Sequence, residues 1–572
     1  MKLRKLYSEP KVFEPIEFLD GVNLVLGETT TDNEKTNGVG KSLAIEFLNF
    51  GLLKRYKDSR VSRIPEGQLP DDLCVCLDFE LAGRKITCRR TPNEADTPTL
   101  ITDGEAVRFA SLSDANNYLT SLMFGSAYDE NLPSFRAMMG PLIRDERSEF
   151  KSIINCFDTD QRIPPNYAPH LYLLHTDPSP YREAQSLAKE MDKIRVAKGK
   201  AKENIEAITN KNVAEAKADL NELTSQVEQV QKDVDNLENV EGFDTVKDEI
   251  IEIEDTLEVQ RSRQAVLKSE LLKIRMFQGD NYIDSEEVAD LYNQFKAGLG
   301  DLIAKDLAEV TAFKKKIDDF QRSLIDNRKG GLEQELDEIR ERILALDKRY
   351  KDKVSILDQE GLLKSLKKTI AIHQQKVEEH SALSAFIRKF SDYDKDGKDK
   401  KRERDEQIYL LESYVSNAKE TIESVEQNIL DIHEYVFGNR KSSFEVKVSK
   451  NKEIVKFELR TDADGSHSIN REKVFLYDVA LLINEMTGDR HPGILVHDNI
   501  FDVDQDTLIK SLNFLSDKSS LLNNKQYILT INRDKFADAD LQKLKLDLDE
   551  YARASYTKAN RFLDIDYQEL SA

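Results

Sequence analysis

A glycine-rich stretch near the amino terminus constrains this chain more than any other feature. The residues Asn37-Gly38-Val39-Gly40-Lys41-Ser42 follow a short apolar run and lead into an apolar-spaced segment that starts at Leu43. A buried strand, a glycine loop, Gly-Lys-Ser and a helix are the context of a phosphate-binding loop, or P-loop. Its glycines let backbone N–H groups converge on phosphate oxygens, and the helix N-terminus adds partial positive charge. We therefore predict an ATP site, in which Lys41 reaches the β and γ phosphates and Ser42 ligates Mg²⁺.

The spacing of this loop is irregular. The usual pattern places a glycine five residues before Gly40, where this chain has Lys35, and the nearest upstream glycine is Gly27. Residues 28–36 are therefore interpreted as an insertion in the loop. A chance match on a surface turn is the alternative, and the flanking strand and helix argue against it.

Charge and length limit the class of protein. The chain has 572 residues, of which 33% are charged, with a net charge of −22 and no Trp. Several domains are expected at this length, and the high charge indicates long solvated helices beside a packed core. The acidic total argues against indiscriminate coating of nucleic acid but allows a local basic patch. No leader sequence or apolar run of about 18 residues is present, which predicts a cytoplasmic protein with no membrane partner.

The four cysteines give no metal signature. Cys74 and Cys76 lie two apart in a strand-like segment and so share one face, and no second Cys or His pair completes a zinc set. Buried thiols are predicted.

Strand-like segments mark both ends of the chain, and each end is interpreted as half of a domain. In the first half-domain, residues 1–180, they cover Lys2–Tyr7, Leu73–Leu81 and Arg84–Arg90. In the second half-domain, residues 436–572, they cover Phe444–Val448, Lys456–Arg460, Gly493–His497 and Tyr527–Ile531.

The middle of the chain is predicted to be an antiparallel coiled coil, because apolar residues recur there at heptad spacing. The first series is Leu220, Leu223, Val227, Val230, Val234 and Leu237, and the second is Leu332, Leu336, Ile339, Ile343 and Leu346. The first arm is placed at 181–275, the apex at 276–300 and the second arm at 301–435. Since the second arm is longer, it must fold on itself, and the charged run at 391–407 is the predicted break.

A second part of the nucleotide site is expected far downstream of Lys41. Ile494 to Asp498 is an apolar run that ends in an acid, which is where a P-loop ATPase holds Mg²⁺ through water. Asp498 is therefore the predicted metal partner of Ser42. An ordinary exit from a strand is the alternative.

With a P-loop at one end, an acidic strand at the other and coil between, the chain resembles the SMC class of ABC-type ATPases. That class includes the RecN repair protein and the zinc-hook ATPase of double-strand-break repair. The resemblance implies an α/β P-loop ATPase head, assembled from the N- and C-terminal halves and joined by the coiled coil. It also implies that the heads of a homodimer sandwich ATP and Mg²⁺. The chain has no Cys-x-x-Cys near 276–300, which argues against a zinc hook.

The family motifs are degenerate in this chain. Asn499 follows Asp498 where the family has a catalytic Glu, and Asn532 occupies the position of the switch histidine. Ser468 and Lys473 fit a signature loop, His467–Lys473, before a helix at Val474–Met486, although its glycine pair is missing and a plain surface loop is the alternative. The nearest candidate for the family's Q-loop is the segment 144–147.

The replacement at Asn499 bears directly on catalysis. An asparagine has no ionisable carboxylate and cannot act as a general base. We therefore expect slow hydrolysis, or hydrolysis through another group such as Asp502, Asp504 or His497. A satisfied core histidine is the favoured interpretation of His497, because it ends a buried strand.

Within the class, the extended P-loop and the His-Asp-Asn strand end resemble the SMC-like ATPases of bacterial three-component anti-phage systems, including Lamassu-type systems. This resemblance implies a DNA sensor assembled with a small middle subunit and a separate effector, often a nuclease. Three alternatives stay open: a repair ATPase of the RecN or double-strand-break type, a nucleotide-locked switch that barely hydrolyses ATP, and a scaffold coil with a vestigial site.

A basic segment follows the P-loop helix. The ten positions 54–63 hold five basic residues and only one acid, Asp58. The basic residues are Lys54, Arg55, Lys57, Arg60 and Arg63. In the resembled family double-stranded DNA lies across the joined heads, where phosphate contacts give sequence-independent affinity. Double-stranded DNA is therefore a predicted partner, and a solvated basic helix end is the alternative.

Overall fold

The structure is a computed structural model. It describes residues 1–29, 38–125, 129, 131–156, 159, 163–238, 247–277, 307–355, 362–462, 467–501 and 503–563. Asn37, Asp502 and nearly all of the predicted apex at 276–300 lie outside these ranges. The chain divides into two compact units, the first made of residues 1–188 and 402–572 and the second of residues 189–401. Within the described ranges, no helix has both the length and the apolar character needed to cross a membrane.

The strands lie at the two ends of the chain. They are β1 (Lys2–Glu9), β2 (Ile16–Glu17), β3 (Gly21–Gly27), β4 (Cys74–Leu81), β5 (Arg84–Arg90), β6 (Thr99–Thr102), β7 (Glu105–Arg108), β8 (Ile143–Arg144), β9 (Ser442–Val448), β10 (Val455–Thr461), β11 (Ile494–Asp498), β12 (Gln526–Asn532) and β13 (Ala552–Tyr556).

Helices occur throughout and fill the middle of the chain. They are α1 (Lys41–Gly51), α2 (Leu112–Phe124), α3 (Phe135–Leu142), α4 (Ala168–Leu173), α5 (Ser179–Thr209), α6 (Val213–Glu238), α7 (Lys247–Phe277), α8 (Leu307–Ser355), α9 (Leu362–Asn417), α10 (Lys419–Phe437), α11 (His467–Ile483), α12 (Gln505–Asp517), α13 (Asp538–Leu541) and α14 (Leu548–Tyr551).

A five-stranded parallel sheet lies in the core of the first unit, in the order β13-β3-β12-β11-β8. Strands β3 and β8 belong to the amino-terminal half of the chain, and the other three belong to the carboxyl-terminal half. The P-loop strand β3 therefore lies between two strands from the far end, with Gln526 opposite Gly21 and Asn532 opposite Gly27. The strands predicted at 493–497 and 527–531 are confirmed, and the apolar run before the P-loop forms β3. They are buried on both faces, which explains their continuous apolar runs.

A second sheet of the first unit is antiparallel, in the order β2-β1-β4-β5-β6-β7. The strands predicted at its centre are confirmed, and Ala82 and Gly83 form the turn between β4 and β5 with positive φ values of 51° and 79°. Cys74 and Cys76 share one face of β4, with their Sγ atoms 3.9 Å apart. All four cysteines are buried and free, as predicted. The hairpin β9–β10, also predicted, forms a separate two-stranded sheet.

The helical unit begins with an antiparallel pairing. Helix α9 packs along α5 and α6, since Ile387 forms a buried cluster with Ile205 and Ala216. The Thr224 hydroxyl on α6 lies 3.0 Å from Nε2 of His380 on α9. Residues later in α6 therefore meet residues earlier in α9.

A second antiparallel pair is inserted between these helices in the sequence. The cluster of Leu267 and Leu271 from α7 with Leu332, Leu336 and Ile339 from α8 aligns the two helices, and Ile253 and Leu257 meet Tyr350 further along. Helix α7 also packs along α9, with Arg261 3.5 Å from Glu378 and Ile370 beside the Ile253 cluster. The chain therefore reverses its direction between α6 and α7, between α7 and α8, and again between α8 and α9. The antiparallel pairing predicted about 276–300 is present between α7 and α8. The arm predicted at 181–275 is not a single arm, however, because α6 packs against α9 instead of α8. The second heptad series lies in the seam of α7 and α8, and Leu220 of the first series lies in the cluster of α6 and α9.

The break predicted at 391–407 is also wrong, because α9 continues without interruption through those residues. Lys, Arg and Glu are good helix formers, and the run places opposite charges four residues apart, as in Asp394–Lys398 and Arg402–Glu406. A Cβ atom added at the single glycine of the run, Gly397, would lie 3.6 Å from Cγ2 of Ile194 on α5, at ordinary van der Waals distance. A dense charge run here stabilises a helix rather than ending it.

Candidate functional site

The end of the P-loop is held in a conformation that favours glycine. Gly38 and Gly40 have φ values of +86° and +101°, and α1 begins at the next residue, Lys41. A Cβ atom at Gly40 would lie 2.6 Å from the Cβ of Phe562, whose N–H donates to the Val39 carbonyl at 3.1 Å. The carboxyl-terminal end of the chain therefore packs directly on this loop.

Ser42 and Asp498, predicted to share a metal ion, are brought together in the structure. The Ser42 hydroxyl donates to Oδ1 of Asp498 at 3.0 Å, and the Thr530 hydroxyl donates to the same oxygen at 2.7 Å. Asp498 is only 1% exposed. Burial raises the pKa of this carboxyl to about 6, with the charge of Glu146 adding to the shift and the two hydroxyl donors opposing it. The role of Thr530 was not predicted from the sequence, because it depends on β12 lying beside β11.

Lys41 is held by a side chain at the position of the family's switch histidine. Its Nζ donates to Oδ1 of Asn532, at the end of β12. A Cβ atom at Gly27 would lie 2.6 Å from this Nζ and 2.8 Å from Oδ1 of Asn532, so a side chain there would displace the hydrogen bond. Burial lowers the pKa of Lys41, and three carboxylates act in the opposite direction. They belong to Asp498, Asp534 and Glu146.

The chemistry of these donors fits Mg²⁺ and a nucleotide. Mg²⁺ prefers oxygen ligands, and the Ser42 hydroxyl and the Asp498 carboxylate lie side by side at the start of α1. The helix N-terminus and the Lys41 amine offer positive charge to phosphates. Gly27, Gly38 and Gly40 provide a backbone cradle that larger residues would fill or strain.

Asn499 lies at the mouth of this site. It has a positive φ of 59°, a conformation that asparagine tolerates better than most residues, and its N–H donates to the Thr530 hydroxyl at 2.9 Å. Its side-chain amide donates to Oε1 of Glu146 at 3.0 Å. Glu146 lies in the segment 144–147, which was predicted only as the nearest Q-loop candidate, and its place as an acid of the site was not predicted.

His497 belongs to a buried cluster that joins both halves of the chain. Its Nε2 lies 3.0 Å from Asp478 on α11, and its Nδ1 lies 3.0 Å from the hydroxyl of Tyr527. Arg144 on β8 pairs with the same Asp478 and is fully buried. The interpretation of His497 as a core histidine is confirmed, and it has no access to an attacking water.

The signature-like segment differs from its prediction. Residues 467–473 were expected to form a loop before a helix at 474–486, but α11 already begins at His467 and ends at Ile483. The stretch contains no glycine or proline, so nothing in it stops the helix from starting early. Arg471, not predicted, donates from this first turn to the carbonyl of Asn499 at 3.0 Å. Ser468 and Lys473 lie on the same turns, and the side chain of Ser468 is outside the described part of the structure.

The basic segment forms two short 3₁₀ turns, Tyr56–Asp58 and Arg60–Arg63, instead of the end of a helix. Arg55 and Lys57 are exposed, whereas Arg60 and Arg63 are half-buried. Lys54 forms ion pairs with two carboxylates: its Nζ lies 2.7 Å from Oε1 of Glu46 and 3.2 Å from Oδ2 of Asp145.

Comparisons with known proteins give three findings. Residues 426–567 match a family described as an uncharacterised protein conserved in bacteria (DUF2326). Over 578 residues the chain is 22% identical to the uncharacterized protein YydD of Bacillus subtilis (strain 168), with 92% of each chain covered.

Among solved structures, the chain is similar to two archaeal Smc heads. One is the Smc head domain with a coiled coil and joint from Pyrococcus yayanosii, with a TM-score of 0.34, 14% identity and coverage of 95% of this chain and 94% of that one. The other is the Smc head domain with an extended coiled coil bound to the C-terminal domain of ScpA from Pyrococcus furiosus, with a TM-score of 0.30, 12% identity and coverage of 95% and 92%.

Proposed function

We propose that this chain is an SMC-like ATPase whose head binds ATP and Mg²⁺ and dimerises on ATP. One observation carries the proposal: the two P-loop side chains each meet a side chain from the opposite end of the chain. Ser42 bonds to Asp498, 456 residues away, and Lys41 bonds to Asn532, 491 residues away. A P-loop ATPase needs such an acid beside its Gly-Lys-Ser, because the acid and the hydroxyl hold the metal together.

In this proposal each side chain has a distinct role. Ser42 and Asp498 hold Mg²⁺, which when bound neutralises phosphate charge, and Lys41 binds the β and γ phosphates. The backbone from Gly38 to Gly40 wraps the phosphates. Ser468 and Lys473 of a second copy close the site from the opposite head, which makes the dimer dependent on ATP.

The wider role that we propose is control of an effector in bacterial anti-phage or plasmid defence. The homodimer senses double-stranded DNA through the exposed Arg55 and Lys57, assisted by Arg60 and Arg63. A small middle subunit and an effector, such as a nuclease, assemble on the head. The Pyrococcus furiosus Smc head, which is bound to a domain of ScpA, offers an example of a head that binds a partner protein.

A second candidate function is favoured by Asn499. Because its amide cannot accept a proton from water, a head that relied on this position would bind ATP without hydrolysing it. The protein would then be a nucleotide-locked switch, and the chemistry would lie in its effector.

The first experiment is to measure ATP binding and ATP-dependent dimerisation of Lys41→Ala. We expect ATP affinity to fall by at least about 100-fold, because a buried charge-assisted contact to phosphate is lost, and the dimer to disappear from light scattering. Lys85→Ala removes an exposed lysine from β5 and should change neither quantity. Unchanged dimerisation of Lys41→Ala with ATP would contradict the proposal.

A further inference from the structure

The loop that follows β8 carries an acid to the mouth of the nucleotide site. Strand β8 pairs in parallel with β11, with Ile143 opposite Val496 and Arg144 opposite His497. Continued by two residues, this register brings Glu146 beside Asn499. The hydrogen bond of 3.0 Å between the Asn499 amide and Oε1 of Glu146 shows that the two side chains do meet there.

Glu146 and Asn499 are chemically complementary. A Glu at both positions would oppose two negative charges at hydrogen-bond distance, whereas an amide donates to a carboxylate without penalty. Asn499 is in turn fixed by Thr530, which bonds to its backbone N–H and to Asp498. Glu146 is therefore a carboxylate of the site in addition to Asp498. It is held in place by an amide and is exposed, so water reaches it.

Of the alternative groups named from sequence, Asp504 and His497 are engaged elsewhere. Asp504 caps α12, where it accepts from the Thr507 N–H at 3.0 Å and from its hydroxyl at 2.7 Å. Asp145, next to Glu146, is paired with Lys54. His497 is buried against Asp478 and Tyr527, and Asp502 lies outside the described residues.

We propose that Glu146 is the catalytic base of this ATPase, an inference that rests on the proposed function. Glu146 accepts a proton from the attacking water while the water oxygen bonds to the γ-phosphorus. The bond between that phosphorus and the bridging oxygen breaks, and its electron pair leaves with ADP. The proton then passes from Glu146 to the products or solvent. Asn499 is a positioning residue, since it aims the carboxylate.

Four variants test this assignment by two independent readouts, single-turnover hydrolysis and ATP binding by calorimetry. Glu146→Gln should slow hydrolysis by about 100-fold or more, as loss of a general base does, while ATP affinity stays within about threefold of the parent. The ATP-bound dimer of this variant should persist in light scattering. Glu149→Gln, an exposed acid on the same loop, should change neither readout.

The third variant exchanges the two groups. Glu146→Gln combined with Asn499→Asp keeps an amide facing a carboxylate, and Asp tolerates the positive φ at 499. We expect hydrolysis at least about tenfold faster than in Glu146→Gln alone, because a base is restored at the same place.

Each opposite result would overturn the assignment. Unchanged hydrolysis in Glu146→Gln would exclude Glu146 as the base, and so would an equal loss of hydrolysis in Glu149→Gln. Loss of hydrolysis in Asp534→Asn together with full activity in Glu146→Gln would assign the role to Asp534. A parent protein that binds ATP without any turnover overturns this inference but leaves ATP binding intact. A parent protein that binds no ATP overturns the proposed function as well.

Discussion

Adjacent basic residues of the predicted DNA segment differ in what they can contact. Lys54 is mostly buried between Glu46, which is 1% exposed, and Asp145. Glu46 also accepts from the Ser59 hydroxyl and the Arg60 N–H, both at 2.9 Å. Lys54 thus connects the P-loop helix to the loop of Glu146, while its neighbour Arg55 is free to face a phosphate backbone. Burial, which the sequence does not reveal, separates a structural lysine from a candidate binding arginine.

We predict that Arg55→Glu/Lys57→Glu weakens binding to duplex DNA and lowers the slope of log affinity against log salt by about 2, one for each lost phosphate contact. Binding measured by fluorescence anisotropy at several salt concentrations checks this. Lys11→Glu/Lys85→Glu, with the same charge change at exposed positions outside the basic segment, is the control. Equal losses in both double variants would mean that only total charge matters.

At the scale of elements, a buried ion pair joins the N-terminal and C-terminal parts of the first unit. Arg144 on β8 is 0% exposed and Asp478 on α11 is 2% exposed, with a distance of 2.9 Å between Nη2 and Oδ1. Although burial alone would raise it, the pKa of Asp478 is held below its ordinary value by Arg144 and by the hydrogen bond from His497. Strand β8 has only two residues and few backbone hydrogen bonds, so this ion pair is an important contact that holds β8 and the following loop in place.

We predict that Arg144→Met destabilises the protein by about 3–5 kcal/mol, because Asp478 is left as a buried charge without its partner. Thermal unfolding measures the loss. Arg144→Met/Asp478→Leu should recover at least half of it, since both charges are then gone. Arg108→Met, which removes an arginine paired with Glu94 at the surface, should cost less than about 1 kcal/mol. A double variant no more stable than Arg144→Met would contradict this account.

At the scale of the whole molecule, the order in which the helices of the second unit pair could not be determined from the lengths of the two predicted arms. The pair α7–α8 folds back along α9, so α6 meets α9 far from the middle of the chain. In a single hairpin with its apex at 276–300, residue 224 would face residue 352, which is equally far from the middle of that apex. In the structure it faces His380.

We predict that Thr224→Cys/His380→Cys is cross-linked by a short bismaleimide, because the two side chains are in contact, and that Thr224→Cys/Asp352→Cys is not. Mobility on denaturing gels reports the product, and the buried native thiols give the background in the parent protein. If residues 224 and 352 were cross-linked efficiently and residues 224 and 380 were not, the single hairpin would be correct and the path described here would be wrong.

The sequence alone determined the features that depend on neighbouring residues. The apolar runs of β3, β11 and β12, the glycine loop before Lys41 and the heptad seams each follow from local burial or helical periodicity. The pairing of Ser42 with Asp498 was also within reach, because a P-loop requires an acid at the end of a nearby strand.

Only the tertiary structure decided which distant segments meet. Heptads indicate that a helix has a partner but not which one, so the path of α6 to α9 could not be predicted. Glu146 reaches Asn499 through the register of a two-residue strand, too short to leave a periodic signal. Contacts set by the packing of segments hundreds of residues apart carry no local pattern, and the candidate catalytic acid is one of them.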